Sequence, residues 1–265
     1  MKAGAASDPV VTARGLSVGW GERPLLEGLD FDVERGSVFC ILGGSGTGKS
    51  TLLRVLIGLD RPMAGDVGLA VPADPYLPDQ APRFGVLFQS SALFGSMTIV
   101  ENVALPLRRW TGLDDASIDT IARAKLRLVG LEGFEQHLPN ELSGGMKKRA
   151  GIARALALEA PVLFLDEPSA GLDPVTSAEL DELLLLLNRG LGVTILLVTH
   201  ELDSIFRIAT DCVLLDREAR GIIAGDAPGR LRDESEDPRV RAFFDRLSPK
   251  QRRALERGDA PEAAR

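Results

Sequence analysis

A glycine-rich loop between an apolar strand and an apolar helix constrains this chain more than any other segment. Residues 37–42 (SVFCIL) are rich in β-branched and aromatic side chains and predict a buried strand. They lead directly into the sequence GGSGTGKS at residues 43–50 and then into residues 52–59, whose apolar positions have helical spacing. This order of strand, glycine loop, lysine, hydroxyl and helix matches the pattern of a phosphate-binding loop in full.

The residue types in this loop indicate how it would hold a nucleotide. Glycines let the backbone curl so that successive N–H groups point at one phosphate cluster, and the following helix adds the positive end of its dipole. We expect Lys49 to reach the β- and γ-phosphates and the Ser50 hydroxyl to ligate Mg²⁺. The alternative, a simple glycine-rich turn, leaves the lysine and the hydroxyl unexplained. The motif specifies nucleotide binding but not the reaction that it serves.

Strands and helices alternate along the rest of the chain. Apolar runs predict strands at residues 10–18, 29–33, 86–88, 162–165, 193–198, 212–215 and 221–224. Helical spacing predicts helices at residues 146–158, 177–188 and 202–209 and mostly helical structure over residues 100–145. Residues 61–84 are rich in Pro, Gly and Asp, which favours loops with at most one short strand. The alternation predicts an α/β fold with a largely parallel sheet covered on both faces.

Composition and charge exclude several classes of protein. The 265 residues suffice for one large domain or for one domain with a helical insert. A net charge of −7 argues against a general nucleic-acid coat, which would need a basic surface. Residues 1–10 lack the apolar segment of a signal peptide, and no apolar run approaches the roughly 20 residues of a membrane span. Cys40 and Cys212 lie in separate apolar runs, which predicts two buried thiols in a reducing, cytoplasmic compartment.

Two acidic residues follow one of the predicted strands. The apolar residues 162–165 end in Asp166 and Glu167, and parallel strands carry polar chemistry at their carboxyl ends. Asp166 is then placed to hold Mg²⁺ through water, and Glu167 to orient or deprotonate an attacking water. Two acids after a strand are by themselves often only a helix cap, and it is the phosphate loop that favours the catalytic interpretation.

The two histidines have different surroundings in the sequence. His200 closes the apolar run 193–198, and its position at a strand end favours a contact with the γ-phosphate over the usual solvated or core histidine. His137 lies in the helical region and receives no chemical role.

A second glycine pair precedes a strong helix. In the sequence LSGGM, Ser143 is a good N-cap and Gly144 and Gly145 expose backbone N–H groups. The cations at residues 147–149 oppose the helix dipole. They form either a solvated basic face or part of a second anion site. A second anion site is understandable if it serves the nucleotide of a partner subunit.

These segments together resemble the ABC ATPase family over roughly residues 10–227. The resemblance implies a P-loop NTPase core with a mostly parallel sheet, an antiparallel β-subdomain and an α-helical signature subdomain. We therefore expect an ABC ATPase domain at residues 1–235, with the helical subdomain inserted at about 95–160. Residues 236–265 form a tail that is expected to be partly helical or disordered.

The resemblance also assigns roles to residues. It implies ATP-binding residues Trp20, which stacks on adenine, and Gly43, Gly44, Ser45, Gly46, Thr47, Gly48, Lys49, Ser50, Thr51 and Gln89. It implies catalytic roles for Glu167, His200 and Lys49, and Mg²⁺ ligation by Ser50, Gln89 and, through water, Asp166. Two chains would sandwich two ATP molecules, each site using the other chain's Ser143, Gly144 and Gly145, with Asp173 in the D-loop. Met146 departs from the family's usual Gln.

Four local segments narrow the resemblance. Residues 87–94, 101–108, 141–156 and 237–247 are similar to the Mla-type ATPase subunit, whose branch energises phospholipid traffic between the two membranes of a Gram-negative envelope. Its relatives drive Mce-type lipid or sterol uptake. The Pro-rich stretch 65–82 departs from the family's regular β-arm.

The branch implies a set of partners. These are a second copy of the chain, integral membrane permease subunits and a Mce-domain lipid-binding protein, at the cytoplasmic face of the inner membrane and without nucleic acid. Leu93, Phe94, Met97 and Ile99, close to Gln89, either dock a permease helix or belong to the core.

Other ABC ATPases remain as alternatives. They are the single-domain ATPase of iron–sulfur cluster assembly and the ATPases of lipoprotein release or small-solute import. Those of DNA repair or translation usually need twin ATPase domains, long coiled-coil inserts or basic surfaces, which this chain lacks.

Overall fold

The computed structural model describes residues 8–71 and 77–245. Its strands are β1 (Pro9–Trp20), β2 (Arg23–Glu34), β3 (Val38–Gly43), β4 (Ala64–Leu69), β5 (Gly85–Leu87), β6 (Val162–Asp166), β7 (Thr194–Val198), β8 (Asp211–Asp216) and β9 (Gly221–Asp226). Its helices are α1 (Lys49–Leu56), α2 (Ile99–Trp110), α3 (Asp115–Leu128), α4 (Gly144–Ala155), α5 (Pro174–Leu191), α6 (Leu202–Ile208), α7 (Pro228–Glu234) and α8 (Pro238–Phe244).

The described chain divides into two compact units, each assembled from separate stretches. Unit 1 comprises residues 8–11, 32–38, 68–71 and 77–197. Unit 2 comprises residues 12–31, 39–67 and 198–245. Both units combine strands with helices, as the alternating pattern of the sequence predicts.

Unit 2 is built around β3, every residue of which is buried. β3 pairs in parallel with β8, so that Cys40 faces Cys212 and the carboxyl end of β3 faces Leu215. β8 pairs antiparallel with β9, whose residues are half exposed, as suits a strand at a sheet edge. Most residues of a second, three-stranded sheet, in the order β2–β1–β4, also belong to this unit.

The C-terminal helices α7 and α8 complete unit 2. They pack against each other, and α7 also contacts β9 and α6. The rings of Phe206 and Phe244 lie 5.6 Å apart, and the Arg232 guanidinium stacks on Phe206. Helix α8 falls in the tail predicted to be partly helical, and the remainder of that tail lies outside the described residues.

Unit 1 contains β5, β6 and β7 in that order, together with helices α2 to α5. β5 and β6 are parallel, with Leu87 opposite Leu165, and β6 and β7 are buried along their whole lengths. Helices α2, α3 and α4 pack on one another, and α4 also packs against β5. Thr98 begins α2 with a capping box to Glu101, and Asp114 caps α3.

The mostly helical prediction for residues 100–145 corresponds to α2, α3 and a short 3₁₀ turn at Pro139–Glu141. The helical subdomain predicted at about 95–160 and the boundary at residue 235 stay predictions. Within residues 61–84 the structure has one short strand, β4, and residues 72–76 lie outside the described part of the chain.

Both cysteines are buried as predicted. Burial, together with the smaller effect of the nearby carboxylates of Asp211 and Asp226, raises the pKa of the Cys212 thiol to about 12. No helix within residues 8–71 and 77–245 combines the length and the apolar character needed to cross a membrane.

Candidate functional site

The phosphate loop of unit 2 follows β3 and has the backbone that its glycines were predicted to allow. Gly43, Gly46 and Gly48 have φ angles of 154°, 75° and 97°, a region that residues with a side chain rarely adopt. A Cβ added at Gly43 would also lie 2.9 Å from the carbonyl oxygen of Leu215 and 2.9 Å from Oγ1 of Thr47. The loop therefore depends on glycine both for its turn and for its close approach to β8.

Lys49 is folded over this loop. Its ammonium group donates to the carbonyl oxygens of Gly43, at 2.9 Å, and Gly44, at 3.0 Å, and the residue is only 8% exposed. Helix α1 starts at Lys49 with Gly48 as its N-cap, so that no side-chain oxygen covers the N–H groups of the first turn. These N–H groups and the lysine charge together form an environment suited to a phosphate group.

The segment that follows β7 contacts β3, the strand that precedes the phosphate loop. The N–H of Thr199 donates to the carbonyl oxygen of Ile41 in β3, at 3.4 Å. The next residue, His200, has a side chain that is 57% exposed, with Nε2 lying 3.6 Å from Oε1 of Glu201. Trp20 ends β1 and is 59% exposed, as an aromatic ring that receives a planar ligand must be.

Unit 1 carries the two acidic residues that were predicted at a strand end. Asp166 is the last residue of β6, and Glu167 follows it, at 9% and 8% exposure. Glu167 has a φ of 47°, an uncommon conformation for a residue with a side chain. Because β5 is parallel to β6, Gln89, two residues beyond β5, belongs to the same carboxyl edge.

Lys148 joins Gln89 and Glu167 directly. Its ammonium group donates to the carbonyl oxygen of Gln89 at 2.6 Å and to that of Glu167 at 3.2 Å. Burial lowers the pKa of Lys148, and the charges of Asp166 and Glu167 oppose this effect. The residue is 5% exposed, so the prediction of a solvated basic face is wrong for Lys148. Its donor bonds end on carbonyl groups of the same chain, which also disfavours a role in a second anion site.

The signature segment begins helix α4 as predicted. The N–H of Met146 donates to Oγ of Ser143, the N-cap, at 3.3 Å. This bond uses the backbone of Met146, so that replacing the family's usual Gln leaves the cap intact. Ser143 and Gly144 are exposed, whereas Gly145 is buried.

Gly145 packs tightly against the start of helix α5. A Cβ added at Gly145 would lie 2.4 Å from Cγ2 of Thr176. The hydroxyl of Thr176 donates to the carboxylate of Asp173, at 2.6 Å, and Asp173 caps α5 by accepting from the N–H groups of Val175 and Thr176. These bonds, led by that from the Thr176 hydroxyl, lower the pKa of Asp173. The signature segment therefore packs against the first turn of α5, which Asp173 of the predicted D-loop caps.

The predicted site residues are distributed over both units. Unit 2 contains Trp20, His200 and the phosphate loop with Gly43, Gly44, Ser45, Gly46, Thr47, Gly48, Lys49, Ser50 and Thr51. Unit 1 contains Gln89, Ser143, Gly144, Gly145, Asp166, Glu167 and Asp173. Ile99, one of the residues proposed for docking, is completely buried and belongs to the core, whereas Phe94 is 56% exposed.

The sequence reasoning missed the structural roles of Arg154 and Thr176, and it considered Lys148 without predicting its bonds to Gln89 and Glu167. For Lys148 a signal existed, because Gly145, Lys148 and Ile152 have the spacing of one helical face and all three are buried. Thr176 had no such signal, since only the approach of α4 to α5 gives it a role.

Three comparisons with known proteins extend these observations. The family model described as ABC transporter matches residues 26–170. A probable ribonucleotide transport ATP-binding protein, mkl of Mycobacterium leprae, is 39% identical over 246 residues, which cover 90% of this chain and 70% of mkl. The intermembrane phospholipid transport ATP-binding protein MlaF of Escherichia coli K12 is 38% identical over 245 residues, covering 90% of each chain.

A solved structure gives the same result at the level of the fold. It is a dimeric, post-hydrolysis state of the ATP-binding cassette MJ0796 bound to ADP and phosphate. It aligns with a TM-score of 0.71 and 29% identity, covering 82% of this chain and 98% of that chain. The predicted α/β fold of P-loop NTPase type is thereby confirmed.

Proposed function

This chain belongs to the ABC transporter family, and from that membership we propose that it hydrolyses ATP to drive phospholipid transport between an inner and an outer membrane. It is an ATP hydrolase of the ABC type. The observation that carries the lipid assignment is the 38% identity with MlaF over 90% of both chains. Agreement over nearly the full length of both proteins supports a shared role more strongly than a match confined to the phosphate loop would.

The phosphate loop and Lys49 bind the nucleotide phosphates in this proposal. Charge develops on the γ-phosphoryl group during transfer to water, and the protein contributes mainly positioning and charge stabilisation. Lys49 and His200 stabilise that charge, and Glu167 orients or deprotonates the attacking water. The support comes from the loop conformation, from the buried carboxylate of Glu167 and from the strand-end position of His200.

Mg²⁺ is the cofactor that accompanies ATP in this proposal. The hydroxyl of Ser50, the amide of Gln89 and the carboxylate of Asp166 all offer oxygen ligands, which Mg²⁺ prefers. No group of three His, Cys, Asp or Glu that could hold a metal exists within residues 8–71 and 77–245. Three oxygen donors leave coordination positions open, so the set fits an ion that keeps waters and shares the ATP phosphates. When bound, the ion neutralises phosphate charge.

A second copy of the chain completes each ATP site in this proposal. Ser143 and Gly144 are exposed at the start of α4, where the helix dipole favours an anion. The dimeric state of MJ0796 with ADP and phosphate supports the same arrangement. Permease subunits and a Mce-domain lipid-binding protein are the further partners that we propose, with this chain at the cytoplasmic face of the inner membrane.

Ribonucleotide transport is a second candidate, because mkl carries that description and is 39% identical to this chain. The cargo of the two relatives differs in their descriptions although their identities to this chain are nearly equal. Coverage favours the lipid assignment, since the alignment covers 90% of MlaF but 70% of mkl.

Purification of the tagged chain from membranes in mild detergent tests the proposal. We expect co-purification of a lipid permease, a single-span lipid-binding protein and phospholipid. Phe94→Ala should reduce recovery of the permease while leaving ATP hydrolysis intact, because Phe94 is 56% exposed near Gln89. Leu186→Ala is the matched control, since Leu186 is equally exposed on α5. Recovery of a small-solute permease, or of no membrane protein, would contradict the lipid assignment.

A further inference from the structure

The segment that follows Gln89 has an unusual backbone. Ser91 and Ala92 have φ angles of 61° and 48°, in the left-handed region that favours glycine. Two consecutive residues with side chains rarely adopt this conformation, and such a segment persists only where its surroundings hold it in place. The surroundings that hold it are on helix α4.

One face of α4 contacts this segment along its length. Lys148, Gly151 and Arg154 are spaced three residues apart and so share a face. Arg154 donates to the carbonyl oxygen of Ala92 at 2.7 Å and to that of Ser91 at 3.0 Å. A Cβ added at Gly151 would lie 2.5 Å from Cδ1 of Leu87 in β5 and 3.5 Å from the carbonyl oxygen of Ser91. Glycine therefore allows the close approach of α4 to β5, and the segment after Gln89 lies within van der Waals reach of the same position.

Lys148 supplies the contact at Gln89 itself. Its ammonium bonds to the carbonyls of Gln89 and Glu167 fix the distance between two backbone segments that leave β5 and β6. Lys148 is only 5% exposed and Arg154 is partly buried. Cations that are withdrawn from water and bonded to backbone carbonyls are suited to fixing backbone positions.

We propose that Lys148 and Arg154 are positioning residues that hold the backbone of Gln89 to Ala92 on helix α4 and, through Lys148, against Glu167. The side chain of Gln89 is thereby held in a fixed position at the carboxyl edge of β5 and β6, the edge that also carries Asp166 and Glu167. This inference rests on the proposed function, because it assigns Gln89 a part in the use of Mg-ATP. In this inference Lys148 acts through Gln89 and Glu167, and Arg154 acts through the segment that follows Gln89.

The test compares Lys148→Met with Lys125→Met in the full chain. Lys125 is also buried, lies on α3 and is bonded to Glu159, so its loss is a matched loss of a buried lysine in the same unit. Changes to residues that position metal ligands typically cost 10–100-fold in affinity or activity. We expect Lys148→Met to lower kcat and to raise the Mg²⁺ concentration for half-maximal ATP hydrolysis. The ratio of kcat to that concentration should fall about tenfold. Lys125→Met should change only the thermal unfolding midpoint.

A double-mutant cycle distinguishes positioning from general loss of stability. If Lys148 acts through Gln89, adding Lys148→Met to Gln89→Ala should change the Mg²⁺ requirement by less than about threefold beyond Gln89→Ala alone, whereas independent effects multiply. Arg154→Lys keeps the charge but loses the planar guanidinium whose two terminal nitrogens bond separately to the carbonyls of Ala92 and Ser91. It should therefore shift the Mg²⁺ requirement in the same direction as Lys148→Met, by a smaller factor.

The outcomes separate this inference from the proposed function. Equal effects of Lys148→Met and Lys125→Met, or multiplying effects in the cycle, would overturn the positioning role while leaving ATP hydrolysis in place. A normal Mg²⁺ requirement in Gln89→Ala would remove the premise and overturn the inference with it. An unmutated chain that failed to hydrolyse Mg-ATP would instead refute the proposed function.

Discussion

Glu167 unites several features that are each uncommon in a folded protein. It is a carboxylate at 8% exposure, its φ is 47°, and its carbonyl oxygen accepts from Lys148 and from the N–H of Ala170. Backbone strain and buried charge together concentrate at functional sites, because ordinary packing does not require them. The bonds to its carbonyl hold the backbone at this position, and the catalytic role that we propose for Glu167 concerns its carboxylate.

Replacement of Glu167 by Gln should separate binding from hydrolysis. Gln keeps the size of the side chain but cannot take a proton from water, and loss of one preorganised group typically costs on the order of 10²–10³ in rate. We expect ATP hydrolysis to fall by that factor while equilibrium binding of labelled ATP is retained. Hydrolysis at the unmutated rate would show that Glu167 is not the residue that handles the water.

The thiol of Cys212 gives a prediction about pH. Its pKa is about 12 in the folded chain against 9.0 for an ordinary cysteine, mainly because it is buried. Between pH 9 and pH 12 the unfolded state therefore loses a proton that the folded state keeps, and the free energy of unfolding falls as pH rises. The difference in pKa corresponds to about 4 kcal/mol at most. Denaturant unfolding at several pH values measures this effect.

Cys212→Ala is the control for that measurement. It should remove most of the alkaline decline between pH 9 and pH 12, although it lowers stability at neutral pH by leaving a small cavity. An identical decline in the variant would assign the effect to other groups.

At the scale of residues, the sequence indicated the candidate site residues that lie directly after a predicted strand. The phosphate loop and the pair Asp166 and Glu167 could be found because each follows directly from a strand. For Lys148 the alternative of a solvated basic face was wrong, and its bonds to Gln89 and Glu167 were not predicted, because these partners are distant in sequence and only the fold brings their carbonyls to it.

At the scale of elements, α4 is the helix on which several functional segments meet. Its N-terminus carries the signature glycines, one face holds the segment after β5, and Gly145 contacts the start of α5. The periodicity of the sequence predicted the existence of α4 and nearly its length, but it gave no information on these contacts. Packing between helices depends on side chains from separate segments, so it is not recorded in the pattern of any one of them.

The contact between α4 and α5 can be tested by substitution and rescue. Gly145→Ala places a methyl group 2.4 Å from Cγ2 of Thr176 and should reduce ATP hydrolysis by displacing the signature segment. Thr176→Ser removes that methyl group but keeps the hydroxyl that bonds to Asp173. We expect the double variant to recover most of the hydrolysis rate. Gly190 is an exposed residue of α5, and a Cβ added there would meet no other part of the described chain within 4 Å, so Gly190→Ala should retain full activity.

A failure of Thr176→Ser to rescue Gly145→Ala would contradict the steric explanation. The remaining cause would then be the loss of direct access to the N–H of Gly145. Thermal unfolding of the same variants separates these cases from a general loss of stability.

At the scale of the whole molecule, the comparisons and the structure agree on a nucleotide-binding cassette. The sequence predicted the α/β class and most strand positions, because buried strands and amphipathic helices leave clear periodic patterns. It could not predict that the chain divides into units that each draw on separate stretches. That division depends on pairings such as β3 with β8, between residues far apart in the chain.

Association of two copies on ATP binding is the prediction at this scale. Glu167→Gln with saturating Mg-ATP should be dimeric by light scattering, and the same protein without nucleotide monomeric. Adding Ser143→Asp should prevent dimerisation, because Asp caps a helix as well as Ser does but repels a phosphate group. Adding Ser143→Asn, a neutral residue that also caps, should leave the dimer intact. A strictly monomeric protein in all these states, with membrane partners present, would exclude a shared ATP site.

The pairing of β3 with β8 also bears on how the protein is made. The phosphate loop follows β3 directly, yet its closest neighbour across the strand, Leu215, is added to the chain much later. At a synthesis rate of about 5–20 residues per second, that wait is on the order of ten seconds or more. During this interval β3 has not yet paired with β8, so the nascent chain exposes an apolar strand that can mispair or aggregate before the nucleotide pocket is complete.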